Sequence, residues 1–302
     1  MGDIPDIQII SAPSILGLKP TGVEKLAETL LANGLREKLY IKIPQIIVPT
    51  LNSHYKFDRD VETGCLNAAN IRAFSEDLMK EISNTLHQNH FPLVLGGDCS
   101  ILIGILPSLK ARGNFGLLFC DAHADFYQPE KSITGEVADM DLAIVTGRGP
   151  ELLTNIDRLM PYVAEQHVIH IGQRDWEETK KYGSQDIRQT DIHCLDYKSI
   201  KKAGISATAQ KIIQQMNAMK VESFWIHFDT DALADDENPA VDYRIPEGLS
   251  FKHCEQLLKK LLSTKKIIGM SVSIFNPALD DGNGTVARML TQLISNSFNK
   301  KG

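Results

Sequence analysis

The sequence has little cysteine and no paired cysteine pattern. Five cysteines, Cys65, Cys99, Cys120, Cys194 and Cys254, lie scattered through 302 residues with no CxxC pair. An odd, dispersed set argues against a disulfide framework and against a thiolate zinc site. The net charge of −6 leaves no basic footprint for nucleic acid. No apolar run is long enough to span a bilayer. The opening MGDIPDIQII lacks both a basic start and a long apolar core, so no secretory signal is expected there. These absences point to a cytoplasmic protein with reduced thiols and no membrane partner. There is also no internal repeat, low-complexity tract or Gly/Ser linker, and a single domain over residues 1–302 is expected.

Apolar runs of strand length alternate with amphipathic stretches of helix length. IQIISAP, FPLVLGGD, FGLLFCD, HVIHIGQRD, VESFWIHFD and KIIGMSVSIF read as strands. Their continuous apolar character suits parallel strands covered on both faces. GVEKLAETLLANGL, IRAFSEDLMKEISNTLHQNH, SILIGILPSLKARG, SFKHCEQLLKKLL and TVARMLTQLISNSF read as helices. In the first, Leu26, Leu30 and Leu31 share a face and Gly34 supplies a stop. The alternation predicts an α/β fold with a parallel sheet. The longest irregular stretches, 125–150 and 231–249, each follow an acidic strand end, and loops of that length inside a compact domain are usually functional.

Those acidic ends carry the chemistry. In FCDAHADFYQPE (119–130), Asp121, His123 and Asp125 occupy alternate positions behind a buried strand. HFDTDALAD (227–235) repeats the design with His227, Asp229 and Asp231. Side chains two residues apart in an extended chain share one face, so each trio is expected to point one way. Carboxyl ends of parallel strands are where α/β sheets place ligands. Carboxylates crowded there repel unless a cation lies between them, and an oxygen-rich set with one imidazole suits Mn²⁺ or a similar divalent ion. In LVLGGDCSILIG (93–104), Gly96 and Gly97 permit a tight turn, Asp98 or Ser100 can cap the next helix, and Cys99 projects toward the same edge. The stretch contains no G-x-G-x-x-G dinucleotide fingerprint.

Together GGDCS, DAHAD and HFDTDALAD resemble the arginase/agmatinase/formiminoglutamase (ureohydrolase) family, whose patterns are GGDHS, DAHxD and SxDxDxxDP. IGQRD (171–175), GLSF (248–251) and IFNP (274–277) resemble its later landmarks, so the likeness extends across nearly the whole chain. The resemblance implies a three-layer α/β/α sandwich around a central, mainly parallel sheet. It implies hydrolysis of guanidino or amidino C–N bonds by a hydroxide bridging two divalent ions, Mn²⁺ foremost. Residue by residue, it implies that Asp121 and Asp229 bridge both metals, that Asp125 binds the first, and that His123 and Asp231 bind the second. Cys99 falls at the place of the family's histidine ligand to the first metal. Asp125 would also orient the nucleophile or carry a proton. Family members often form trimers or hexamers, so a homo-oligomer stays open.

Four departures bear on activity. Cys99 is a soft donor where Mn²⁺ prefers harder ones, so the first metal is weakly held, or differs, or is not ligated by Cys99. Ala138 stands where arginases keep a proton-shuttling histidine, which leaves Glu136, Asp139 or His227 as candidates for proton transfer. His227 stands where the family usually has serine and reads equally as a supporting core histidine. Ile274 aligns with the acid that holds the guanidinium, and Tyr127 replaces an asparagine that binds the amino-acid end of arginine. The expected substrate is therefore a small guanidino, amidino or formimino compound other than free arginine. The competing expectation is a catalytically degenerate relative with a structural or regulatory role.

Overall fold

The computed structural model describes residues 5–298. The start of MGDIPDIQII and the end of the terminal SNSFNKKG lie outside the described residues. Eight strands form one sheet: β1 (Ile7–Ala12), β2 (Ile46–Ile47), β3 (Phe91–Gly96), β4 (Gly116–Cys120), β5 (Val168–Ile171), β6 (His193–Leu195), β7 (Phe224–Asp229) and β8 (Ile267–Ser273). Their order across the sheet is β2-β1-β3-β8-β7-β4-β5-β6, and every pair is parallel. Parallel pairing demands a crossover between neighbours, and helices supply it on both faces. One face is covered by Leu26–Ala32, Ile205–Ala218, Phe251–Leu262 and Thr285–Phe298, which bury Leu26, Ile212, Leu257 and Leu290. The other is covered by Ala68–His87 and Leu102–Lys110, which bury Phe74, Leu78 and Ile105. The parallel α/β fold expected from the strand–helix alternation, and the three-layer sandwich that the family resemblance implies, are the fold.

The apolar strand runs are buried end to end, as residues 91–96, 116–120 and 224–229 show. The edge strands β2 and β6 and the helices over 176–182 and 197–218 were not expected from periodicity. The helix Leu102–Lys110 runs through Pro107. The helix Phe251–Leu262 starts where the Ser250 side chain accepts the His253 N–H and ends in Lys259 and Lys260, which suit its dipole.

The topology decides where the chemistry sits. The chain lays down β3 and β4 with a gap between them, then returns to fill the gap with β8 and β7. Loops from distant parts of the sequence therefore meet above the middle of the sheet.

Candidate metal centre

The central strands β3, β8, β7 and β4 end at one edge. Phe119 is registered with His227, and Cys120 with Phe228, so Asp121 and Asp229 emerge side by side. Both acidic loops begin with the same local bond. The His123 N–H donates to Asp121 Oδ1 at 2.6 Å, and the Asp231 N–H donates to Asp229 Oδ1 at 2.7 Å. This is the Asx-type turn that aspartate favours. It ties down one carboxylate oxygen and leaves the other to face the cluster.

The acidic residues do not share a face of extended chain as their alternation predicts. β4 ends at Cys120, the chain turns through 121–125, and Asp125 has φ +45°. Asp231 lies in the 3-10 turn Thr230–Ala232 rather than in extended chain. The side chains nonetheless converge, because the turns fold them inward. Ligand atoms of Asp121, His123 and Asp125 lie within 4.8 Å of one another, as do those of Asp121, Asp229 and Asp231.

The IGQRD segment braces both turns. Asp175 Oδ2 accepts the Ala124 N–H at 3.0 Å, and Asp175 Oδ1 accepts from the Gln173 amide at 2.9 Å. Arg174 Nη2 donates to the carbonyls of Asp231 at 2.8 Å, Leu233 at 3.0 Å and Ile245 at 3.3 Å. The sequence offered this segment only as a landmark; its work is to hold the two acidic loops against each other.

On the β3 side, the Asp98 side chain caps the turn by accepting the Ser100 N–H at 2.8 Å and the Gly17 N–H at 3.1 Å. Gly97 is required there, because a Cβ would come within 1.8 Å of the Ser14 carbonyl oxygen. Cys99 then points into the cluster, as expected. Its thiol donates to Asp229 Oδ2 at 2.8 Å and lies 3.0 Å from Ser273 Oγ. His227 sits behind it, with Nε2 3.4 Å from Cys99 Sγ and Nδ1 2.8 Å from Ser271 Oγ. Burial lowers the His227 pKa to about 3, so the imidazole is neutral.

The crowded acidic groups are shifted strongly by burial and by one another. Burial, then repulsion from Asp231, pushes Asp121 up to about 7. Burial first and neighbouring carboxylates second raise Asp125 and Asp229 well above the usual range. Burial opposes protonation of His123, yet Asp231 and Asp121 outweigh it and raise its pKa; its Nδ1 is 2.8 Å from Asp231 Oδ2. Asp121 Oδ2 is buried with no hydrogen-bond partner. An orphaned carboxylate oxygen inside a set of converging acidic side chains is the arrangement a divalent cation satisfies, and the residues fit one.

A further acid, Asp141, adjoins the cluster. It opens the short helix Asp141–Val145, is fully buried, and has no side-chain donor for either carboxylate oxygen. Its ligand atom groups with those of Cys99 and Asp125 within 4.8 Å. The signal was present in VADMD (137–141), two residues beyond the acid weighed at Asp139.

A cavity of about 330 Å³ opens over the cluster. Its floor includes Cys99, His123, Asp125, Asp229 and Asp231, and its walls come from both long loops. Ile274, Ala138 and Leu18 make one apolar side, and Tyr127, Tyr182 and Tyr243 ring the rest. Ile274 is held at φ +71°, a strained setting for a β-branched residue, with its N–H donating to Gly97 O at 2.8 Å. The expected proton carriers are placed differently: His227 joins the cluster from behind, its ring nitrogen within 4.8 Å of the ligand atoms of Cys99 and Asp121, while Glu136 and Asp139 stand in the wall. His227 is not among the residues lining the cavity. Glu136 lines the wall but pairs with Lys19 at 3.1 Å and accepts the Tyr243 hydroxyl at 2.8 Å. Asp139 also lines the wall and accepts from Ser132 Oγ at 2.7 Å.

Fold and site define a parallel-sheet α/β protein with a polycarboxylate centre suited to divalent cations. The Arginase family profile matches residues 10–298, and the chain belongs to that family. It is 30% identical over 304 residues to an arginase of Staphylococcus aureus, covering 97% of this chain and 96% of the relative. The crystal structure of arginase from Bacillus cereus is 25% identical with a TM-score of 0.84, covering 98% of this chain and 99% of that one. The formimidoylglutamase of Bacillus subtilis shares the fold at 16% identity with a TM-score of 0.73, covering 98% of this chain and 87% of that one.

Proposed function

We propose that the protein is a hydrolase that cleaves a C–N bond in a small linear guanidino or amidino compound, and that free arginine is not its substrate. We take the chain to act as one domain in the cytoplasm, with two Mn²⁺ ions as the expected cofactor. Asp121 and Asp229 would hold both ions, Cys99 and Asp125 the first, and His123 and Asp231 the second. When bound, the ions supply the charge that makes a strong oxygen nucleophile available near neutral pH.

The remaining roles belong to the chain. Asp125, buried at the cavity floor, orients the attacking water and takes its proton as oxygen bonds to the trigonal amidine carbon. The C–N bond then breaks and that proton passes to the leaving nitrogen. Arg174 and Asp175 keep the acidic turns fixed so that this geometry is set before substrate arrives. His227, behind Cys99, positions the thiol rather than touching substrate. Glu136, paired to Lys19 and Tyr243, shapes the mouth. The apolar wall of Ile274 and Ala138 gives a guanidinium no carboxylate partner on that side, which favours a substrate of lower charge than arginine.

The observation that carries this reading is the buried, unpartnered Asp121 Oδ2 among converging carboxylates under an open cavity. The test is to load the protein with Mn²⁺ and screen guanidino, hydroxyguanidino and formimino compounds, following urea, hydroxyurea, formamide and ammonia. Arginine emerging as the best substrate would overturn the substrate assignment. Ala138 and Ile274 favour a second reading, in which the centre binds metal and the protein serves without turnover; tight metal binding with no product from any compound would select it.

A further inference from the structure

Asp141 is a fully buried carboxylate beside the acidic cluster. No side-chain donor reaches its buried oxygens, whose polar neighbours are the Leu142 N–H and the carboxyl group of Asp125, and two carboxyl groups buried against each other are an unfavourable placement in a folded protein. Asp141 is positioned against the one place where the donor set is unsuited to a hard ion. Cys99 brings a sulfur to that place, and its thiol is already committed as a donor to Asp229 Oδ2 at 2.8 Å. A divalent ion that prefers oxygen gains little from the thiol, so at that place it would depend on Asp125 and on the two carboxylates, Asp121 and Asp229, that it shares with the second ion.

We propose that Asp141 is a ligand of the first metal ion, supplying with Asp125 the oxygen donors that Cys99 does not. The juxtaposition supports this: the Asp141, Asp125 and Cys99 ligand atoms lie within 4.8 Å of one another, and Asp125 also belongs to the Asp121–His123 group. Asp141 therefore extends the cluster instead of forming an isolated pocket. The chain that folds Ala138 over the cavity continues directly into it, so the loop that lacks a histidine delivers a carboxylate instead. The exchange raises the negative charge at the first position, which strengthens binding of a doubly charged ion. The inference rests on the proposed two-metal reading.

Asp141→Asn tests it, since the amide keeps the shape and removes the charge. Wild-type protein and variant are stripped of metal, checked for matching circular dichroism, and titrated with Mn²⁺ by calorimetry. The bound ions are followed by electron paramagnetic resonance. The wild type is expected to take up two equivalents with the signature of a coupled pair. The variant is expected to lose the coupled signature and bind one of the two equivalents at least about tenfold more weakly. A Cys99→His/Asp141→Asn double variant is expected to recover the second equivalent, which a purely structural role for Asp141 would not produce. Unchanged stoichiometry, affinity and spectrum in Asp141→Asn would overturn Asp141 as a ligand while leaving the two-metal reading intact. A wild type that takes up no Mn²⁺ would overturn both.

Discussion

Arg174 shows how much of this site is decided by a residue that does not line the cavity. Its guanidinium ties the backbone of Asp231, Leu233 and Ile245 into one surface. Arg174→Ala leaves those carbonyls without their donor and should destabilise the protein by about 2 kcal/mol. It should also weaken metal binding, because Asp231 loses its fixed backbone. Arg174→Lys should recover little, since an ammonium cannot reach several carbonyls in one plane. Urea unfolding and Mn²⁺ titration of both variants check this. A second expectation concerns protons. A metal held as proposed must displace protons from Asp121, which burial and then Asp231 push up to about 7. Apparent metal affinity should therefore fall as pH drops below that value, and calorimetric titration on either side of it gives the sign. The acidic trios were legible in the sequence because spacing behind an apolar run is a local signal. Asp141 was not. What marks Asp141 is its burial against Asp125 and Cys99, which no sequence displays.

At the scale of elements, the long apolar runs announced the inner strands and the amphipathic runs announced the larger helices. The edge strands escaped because β2 has two residues and β6 three, too few to show a period. The alternation in 121–125 pointed to the right residues for the wrong reason: a turn, not a pleat, gathers them. The turn after β3 is equally exacting. A Cβ at Gly97 would meet the Ser14 backbone at 1.8 Å, so Gly97→Ala must push the β1 and β3 loops apart. The expected cost is about 3 kcal/mol or more, together with loss of the first metal position, since Cys99 moves with the loop. Denaturant unfolding and metal stoichiometry of that variant provide the check.

For the whole molecule, the centre joins loops that follow β3, β4 and β7, so ions bound there should act as a clasp across the sheet. Ligand that binds only the folded state stabilises it by about 2.7 kcal/mol per site at a hundredfold excess over Kd. Chelation should therefore lower the melting temperature, and added Mn²⁺ should restore it in a concentration-dependent way; thermal unfolding across a metal series measures both. A melting temperature indifferent to metal would mean that the carboxylates are not holding ions.

The strand order has a consequence for biosynthesis. β3 and β4 are made early, yet their permanent neighbours, β8 and β7, come from residues 224–273. Until the ribosome has delivered that stretch, the nascent polypeptide carries two raw inner edges flanking a vacant slot, with Asp121 and Asp125 already in hand and Asp229 and Asp231 still to come. Exposed inner edges of this kind recruit other chains. The hazard to this protein is thus concentrated in the interval before its final quarter emerges, and a stalled or shortened copy is the form from which aggregates would be seeded.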